Sequence, residues 1–175
     1  MKNAMQIEEY NADKIKIEDV QLFTTRVKVF ILNKDKDVLI ATSDTGCQLP
    51  GGHVEENEPI KESIKREVRE ETGIELSDEE IKEPFYEIKY IKKNYKNSGK
   101  NRLSNILYYL VFSDKKPDIS KINLTEREKL NNFAIQYVNI KNFEDFVLSY
   151  ANSDQKEIDK TIAEEMLRVF NLIRI

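Results

Sequence analysis

The chain has 175 residues, 39% hydrophobic and 34% charged, with 28 Lys plus Arg against 32 Asp plus Glu for a net charge of −4. That length suits one domain with a core that needs no covalent staples, and the acidic balance argues against a whole-molecule affinity for nucleic acid. One Cys and one His exclude an intrachain disulfide, a Cys-built zinc site and a His–His catalytic pair, and no run approaches the roughly 20 apolar residues of a membrane span.

Residues 1–20 are mostly polar and give no firm element; Met1-Lys2-Asn3-Ala4 leads into charges rather than an apolar signal core, so a cytoplasmic protein is expected. From Phe23 to Leu32, Val27, Val29 and Ile31 alternate with Arg26, Lys28 and Phe30, a period of two that predicts a strand. Asn33–Asp37 reads as a turn and Val38–Ala41 as a second strand, so these two are expected to form a hairpin. A polar link from Thr42 to Gly46 leads to Leu49-Pro50-Gly51-Gly52. A helix is predicted from about Pro59 to Thr72, with proline suited to its first position and Gly73 just past its end. Strands follow near Phe85–Ile91, Ser104–Phe112 and Phe133–Ile140, the first two flanking a basic, Asn-rich loop. Residues 142–150 and 153–170 read as helices, the second with Ile158, Ile162, Met166 and Phe170 at four-residue spacing. Strands on both sides of a central helix make this a mixed α/β domain.

The chemistry concentrates between Gly52 and Ile74, GHVEENEPIKESIKREVREETGI. On a helical wheel Glu67, Glu70 and Glu71 share one arc about 100° wide, and that arc overlaps the apolar stripe of Ile60, Ile64 and Val68. Like charges gathered against a packed side repel one another and lose solvation. A divalent cation offsets both effects, and oxygen ligands without His or Cys suit Mg²⁺ or Mn²⁺ rather than zinc. Glu62 precedes Arg66 by four residues, the favourable order for a helical ion pair. Pro50-Gly51-Gly52 can turn sharply and bring backbone groups close to a metal or to phosphate oxygens. Metal beside such a loop suits phosphate chemistry, where it screens a diphosphate, activates a water and stabilises the leaving oxygen.

The stretch reads Gly52, five residues, Glu58, seven residues, Arg66-Glu67-Val68, one residue, Glu70-Glu71, one residue, Gly73-Ile74. This resembles the Nudix box, the signature of the Nudix hydrolases, at every defining position, and Leu49-Pro50-Gly51-Gly52 is similar to the family's lead-in. The box covers 23 residues, and the strand order extends a looser resemblance to roughly 22–150. The resemblance implies an α/β/α sandwich with a mixed sheet in one domain spanning 1–175, and metal-dependent hydrolysis of a nucleoside diphosphate linked to another group. It implies Glu67, Glu70 and Glu71 as metal ligands, the Gly51 carbonyl as a further ligand, Arg66 as orienting a glutamate, and Glu58 as supporting the metal or its water. It puts the general base in a box glutamate or a later loop, where Glu128 is the candidate. ADP-ribose, a nucleoside triphosphate and a dinucleoside polyphosphate all remain open as substrates. The alternative is a Nudix-fold nucleotide sensor that regulates a partner; the full set of box carboxylates argues for catalysis.

Three other features bear on function. His53 occupies a variable position of the box and reads as a plain loop residue. Cys47 lacks an activating base nearby in sequence and reads as a buried or half-buried thiol. Lys89–Arg102 gathers Lys92, Lys93, Lys96, Lys100 and Arg102 with no acid, interleaved with Tyr90 and Tyr95. With Gly52, the residues Lys92, Lys93, Lys96 and Tyr95 are candidates for holding an anionic substrate and stacking a base. The C-terminal helix has two uses open to it, packing on the domain or a homodimer contact.

Overall fold

The computed structural model describes residues 5–44, 46–124, 126, 131–151 and 157–173. Among these residues the strands and the fully described α-helices occur in the order β1 (Gln6–Tyr10), β2 (Leu22–Leu32), β3 (Asp37–Ser43), β4 (Gly46–Gln48), α1 (Ile60–Thr72), β5 (Tyr86–Lys92), β6 (Arg102–Phe112), β7 (Ala134–Asn139), α2 (Phe143–Ala151) and α3 (Glu157–Phe170). The sheet runs β1-β5-β6-β2-β3-β4, with β7 on the other edge of β3. None of the described helices is long and apolar enough to cross a membrane.

The expected β2–β3 hairpin reduces to one pair, Leu32 with Val38. Two long-range partners take the strands instead. β6 pairs in parallel with β2 along its whole length, from Leu22 opposite Arg102 to Leu32 opposite Phe112. On the other edge of β2, Val27 N–H donates to the Gly52 carbonyl and Val29 N–H to that of Pro50, both at 2.9 Å, while Val54 N–H donates to Thr25. The glycine loop thus occupies the edge that β3 would have used, and β3 turns away to pair with β7 and β4. The consequence for function is direct, because the start of the box is laced to the central strand.

The alternation in β2 sorts its side chains between two layers. Val27, Val29 and Ile31 pack with Tyr109 and Val111 against Ile64 and Val68 of α1. Phe30 and Leu32 pack with Tyr108, Tyr86 and Ile88 against Phe143 and Val147 of α2 and Ala163, Met166 and Leu167 of α3. The result is an α/β/α sandwich around a mixed sheet. Ile64 and Val68 are fully buried, each contributing about 1.5–3 kcal/mol. The helix starts one residue later than expected, with Pro59 as its cap, and Gly73 ends it in the left-handed conformation at φ 72°.

Two further expectations need correction. Ile162 is 44% exposed, and the buried face of α3 is Ala163, Met166, Leu167 and Val169. Strict four-residue steps drift about 40° each around a 3.6-residue helix, so the real stripe mixes steps of three and four. β1 and β4 lie where only polar sequence was legible. β1 is an edge strand, parallel to β5, with mostly exposed side chains; β4 has three residues.

Candidate active site

Arg66 organises the box. Its Nε donates to Glu58 Oε1 (2.8 Å) and its Nη2 to Glu58 Oε2 (2.9 Å), a two-pronged grip on one carboxylate. Its Nη1 donates to Glu67 Oε1 (2.8 Å) and Glu70 Oε2 (3.3 Å), and its Nη2 also to the His53 carbonyl (2.9 Å). The helical partner expected for Arg66, Glu62, goes instead to Lys65 at 2.9 Å. Glu58 sits before the helix and reaches back to Arg66 from the loop, which leaves Glu62 on the outer face with Lys65. The bonds from Arg66 pull the Glu58 carboxyl down to about 2. Glu67 moves the other way: burial raises it, outweighing the bonds from Arg66, and the nearby Glu70 adds to the rise.

Glu71 is 6% exposed, beside the core residues Ile64 and Val68. Its Oε2 accepts the Gly51 N–H at 2.9 Å. Because Pro50 and Gly52 turn their carbonyls to β2, the intervening Gly51 presents its amide group to the carboxylate side. Both glycines are tightly enclosed. A Cβ on Gly51, at φ 135°, would lie 2.2 Å from the backbone oxygen of Val27, whereas one on Gly52 would lie 2.4 Å from Glu67 Oε2. The two positions should therefore respond differently to Ala. Gly51→Ala is expected to lose at least about 3 kcal/mol of stability, because rigid backbone must move. Gly52→Ala should stay within about 1 kcal/mol of wild type, because only a carboxylate end must move, yet lose most activity. Thermal melts and turnover of the two variants separate these outcomes; equal melting losses would contradict the assignment.

Arg26 and Lys28, which the strand pattern showed only as polar alternates, lie beside this loop. Arg26 Nε donates to His53 Nε2 at 3.1 Å. Burial, then Arg26, Arg102 and Lys28, hold the imidazole below its usual value. Lys28 Nζ donates to the Leu49 carbonyl (3.2 Å) and Gln48 Oε1 (3.4 Å). Burial holds its ammonium below the usual lysine range, against the pull of Glu71. Cys47 is a buried thiol pushed up to about 12 by desolvation, which suits an inert side chain.

The basic stretch forms the tip of the β5–β6 hairpin, which Asn101 anchors to Asp19, Gln21 and Leu22. Lys92, Lys93 and Lys96 are exposed there. The Tyr95 ring carries the Arg102 guanidinium 3.4 Å from its centroid, so a base stacking on that face would compete with Arg102. Glu128 lies outside the described residues. Upstream of it, Asn123 N–H donates to the Glu70 carbonyl, and downstream Asp44 N–H donates to that of Asn131.

A family model described as NUDIX domain matches residues 22–160. The chain belongs to the Nudix family. By that membership it is a Nudix hydrolase, and its three layers are the Nudix sandwich with a C-terminal helix. Among solved structures it is similar to the MutT protein of Methanosarcina mazei Go1, at 16% identity over 85% of this chain and 96% of that one, with a TM-score of 0.50. It is likewise similar to the MutT protein of Bacillus halodurans, at 17% identity over 82% of each chain and a TM-score of 0.50. The ORF135 protein of E. coli matches at 20% identity over 85% of this chain and 91% of that one, with a TM-score of 0.50. These likenesses are of fold. No curated protein matches the chain in sequence.

The Nudix family uses a divalent cation, and the donor chemistry here fits one. Glu67 and Glu70 converge on a single guanidinium nitrogen, and Glu71 lies against the adjoining Gly51. All are hard oxygen donors. Among the described residues no three such side chains surround one point.

Proposed function

We propose that this Nudix hydrolase cleaves the P–O–P linkage of a nucleoside diphosphate joined to another group, with Mg²⁺ or Mn²⁺. The observation that carries this reading is the set of four glutamates organised by Arg66 and the Gly51 amide beside the glycine loop. Glu67, Glu70, Glu71 and the Gly51 carbonyl would hold the cation, which when bound neutralises phosphate charge and acidifies a water. Arg66 keeps Glu67 and Glu70 facing the loop. Glu58, held ionised by Arg66, fixes the guanidinium in turn and supports the water network. Gly52 permits close approach of Glu67 and of phosphate oxygens.

The test is a panel of nucleotides with Mg²⁺ and with Mn²⁺, products identified by mass. Turnover of a diphosphate-linked substrate into two phosphate-bearing products is expected. Release of phosphate from AMP, with none from any diphosphate-linked compound, would contradict the reading. Nucleotide binding without any turnover would instead favour a sensor.

The hairpin tip serves capture in this reading. The box carries seven acids and four bases, which repel an unmetallated nucleotide. Exposed lysines nearby counter that repulsion over about 10 Å at 0.1 M salt. Replacing Lys92, Lys93 and Lys96 by Ser is expected to raise KM about three- to tenfold at low salt. The change should also flatten the salt dependence of KM while leaving kcat nearly unaltered. An unchanged KM and salt response across several nucleotides would make the tip ordinary solvated surface.

A further inference from the structure

Five cationic side chains are half-buried among the described residues: Lys28, Lys65, Arg66, Lys89 and Arg102. Three of them sit on carboxylates, Lys65 on Glu62 and Asp78, Arg66 on the box glutamates, and Lys89 near Glu87 at 3.7 Å. Lys28 and Arg102 do not. The Lys28 ammonium donates to the neutral acceptors Leu49 O and Gln48 Oε1, at 3.2 and 3.4 Å, and is attracted by Glu71, Glu165 and Glu67 without an ion-pair contact to any of them. Arg102 lies on Tyr95, and its Nε is buried with no hydrogen-bond partner. The exposed Arg26 likewise meets no carboxylate among the described residues, only His53. Removing a cation from water with no anion in contact is unfavourable, so the half-buried Lys28 and Arg102 need a physical account.

The register of the sheet puts all three on one face. Arg26 lies opposite Ile106, Lys28 opposite Tyr108 and Leu22 opposite Arg102, and residues at even spacing along a strand point the same way. It is the face that α2 and α3 cover at Phe30, Leu32 and Tyr108. Toward the start of β2 and β6 the same face carries Thr24, Arg26, Ser104 and Arg102, all half-buried or exposed. The box helix packs on the opposite face, against Val27 and Val29. The glycine loop on the edge of β2 is therefore flanked by the box acids from one layer and, in the other, by cations with no carboxylate in contact, the Glu165 carboxylate of that layer being held by Tyr90 and Tyr108. Arg26 and Lys28 are two residues apart, about 7 Å along the strand, a spacing that two phosphates of one chain can meet.

We propose that Arg26 and Lys28, with Arg102 at the rim, determine substrate specificity by binding phosphate beyond the linkage that is hydrolysed. The preferred substrate is then a nucleoside polyphosphate rather than a diphosphate closed by a neutral sugar. This rests on the hydrolase reading above, in which the acidic side of the loop holds the scissile diphosphate. A chain of three or more phosphates crosses the loop and places its excess charge on the cationic side. A substrate whose two phosphates both lie in the scissile link leaves Lys28 and Arg26 with no anion in contact.

The experiment measures kcat/KM for ATP, diadenosine tetraphosphate and ADP-ribose with Mg²⁺, for wild type, Lys28→Gln, Lys28→Arg and the distant exposed control Lys82→Gln. Wild type is expected to favour at least one polyphosphate over ADP-ribose by about tenfold or more, and Lys28→Gln to reduce that ratio about tenfold, as loss of one charged hydrogen bond would. Lys28→Arg should restore most of the ratio, and Lys82→Gln should not alter it. Preference for ADP-ribose, or a ratio that Lys28→Gln leaves unchanged, overturns the proposal while the hydrolase reading stands. A calorimetric titration of inorganic tripolyphosphate in EDTA tests the face without turnover. Tripolyphosphate should bind wild type, and Lys28→Gln and Arg26→Gln should each weaken it about tenfold. No binding, or binding indifferent to both substitutions, overturns the proposal whether or not any nucleotide is hydrolysed. Failure of every diphosphate to turn over sinks the hydrolase reading, and the tripolyphosphate titration then decides by itself whether the face binds phosphate.

Discussion

Glu71→Gln is expected to lower kcat by about 10²–10³ and to leave the fold intact, since removing one preorganised electrostatic group from a reaction site has an effect of that size. The substitution nearly preserves shape. Its amide oxygen can still accept the Gly51 N–H that Glu71 Oε2 accepts now at 2.9 Å, so the glycine loop keeps its tie to α1. What disappears is one negative charge, buried beside Ile64 and Val68 and close to Glu67 and Glu70 on the same helix. In EDTA the variant should melt near wild type, because relief of carboxylate repulsion offsets the lost attraction to Lys28. With Mg²⁺ the two proteins should part. A ligand that binds only the native state raises its melting temperature, and weaker metal binding reduces that rise. Near-wild-type turnover at saturating Mg²⁺ would remove Glu71 from the ligand set. A large melting loss in EDTA would instead make Glu71 a structural charge.

The helix of the box was legible because every signal for it is local. Pro59 marks its start, one residue before the helix in fact begins, Gly73 marks its end, and the coincidence of Glu71 with Ile64 and Val68 follows from a 3.6-residue period. Strand faces were legible for the same reason, and Val27, Val29 and Ile31 do share one layer. Strand partners were not. Alternation fixes which face a side chain takes but not which strand lies beside it, and β2 pairs along its length with β6, 80 residues away, and at only one position with β3. The same limit hid the cationic face. Arg26 and Lys28 read as the polar half of an alternation, and only the pairing with β6 adds Arg102 to them. Arg66 was misread on local grounds as well. The i,i+4 rule offered Glu62, while a guanidinium with five donors turned to a loop carboxylate and two helix carboxylates together.

That concentration of partners makes Arg66→Gln the charge-removing substitution with the largest expected effect on stability. Arg66 is 21% exposed and its partners Glu58, Glu67 and Glu70 are 14%, 14% and 29% exposed. Removing one partner of a fully buried ion pair costs about 3–5 kcal/mol. Partial exposure screens the charges left behind, so roughly 2–3 kcal/mol is expected here. The deficit should depend on pH in a defined direction. In the folded protein Arg66 depresses Glu58 from the 4.5 of a free glutamate to about 2. A depressed carboxyl stabilises the fold fully above 4.5 and loses that contribution as pH falls through about 2. Glu67, raised by burial, acts in the same sense once Arg66 is gone, because its ionised form is unfavourable at neutral pH and acid relieves it. The melting gap between wild type and Arg66→Gln should therefore be widest at neutrality and close steadily below pH 4.5. Arg66→Lys keeps the charge but not the planar fork, so it should recover part of the stability while activity stays low. Melting curves of all three proteins, followed from neutral pH down to about pH 2, decide the matter. A gap of constant width would mean that the Arg66 side chain acts through packing, and the electrostatic account of the box would fail with it.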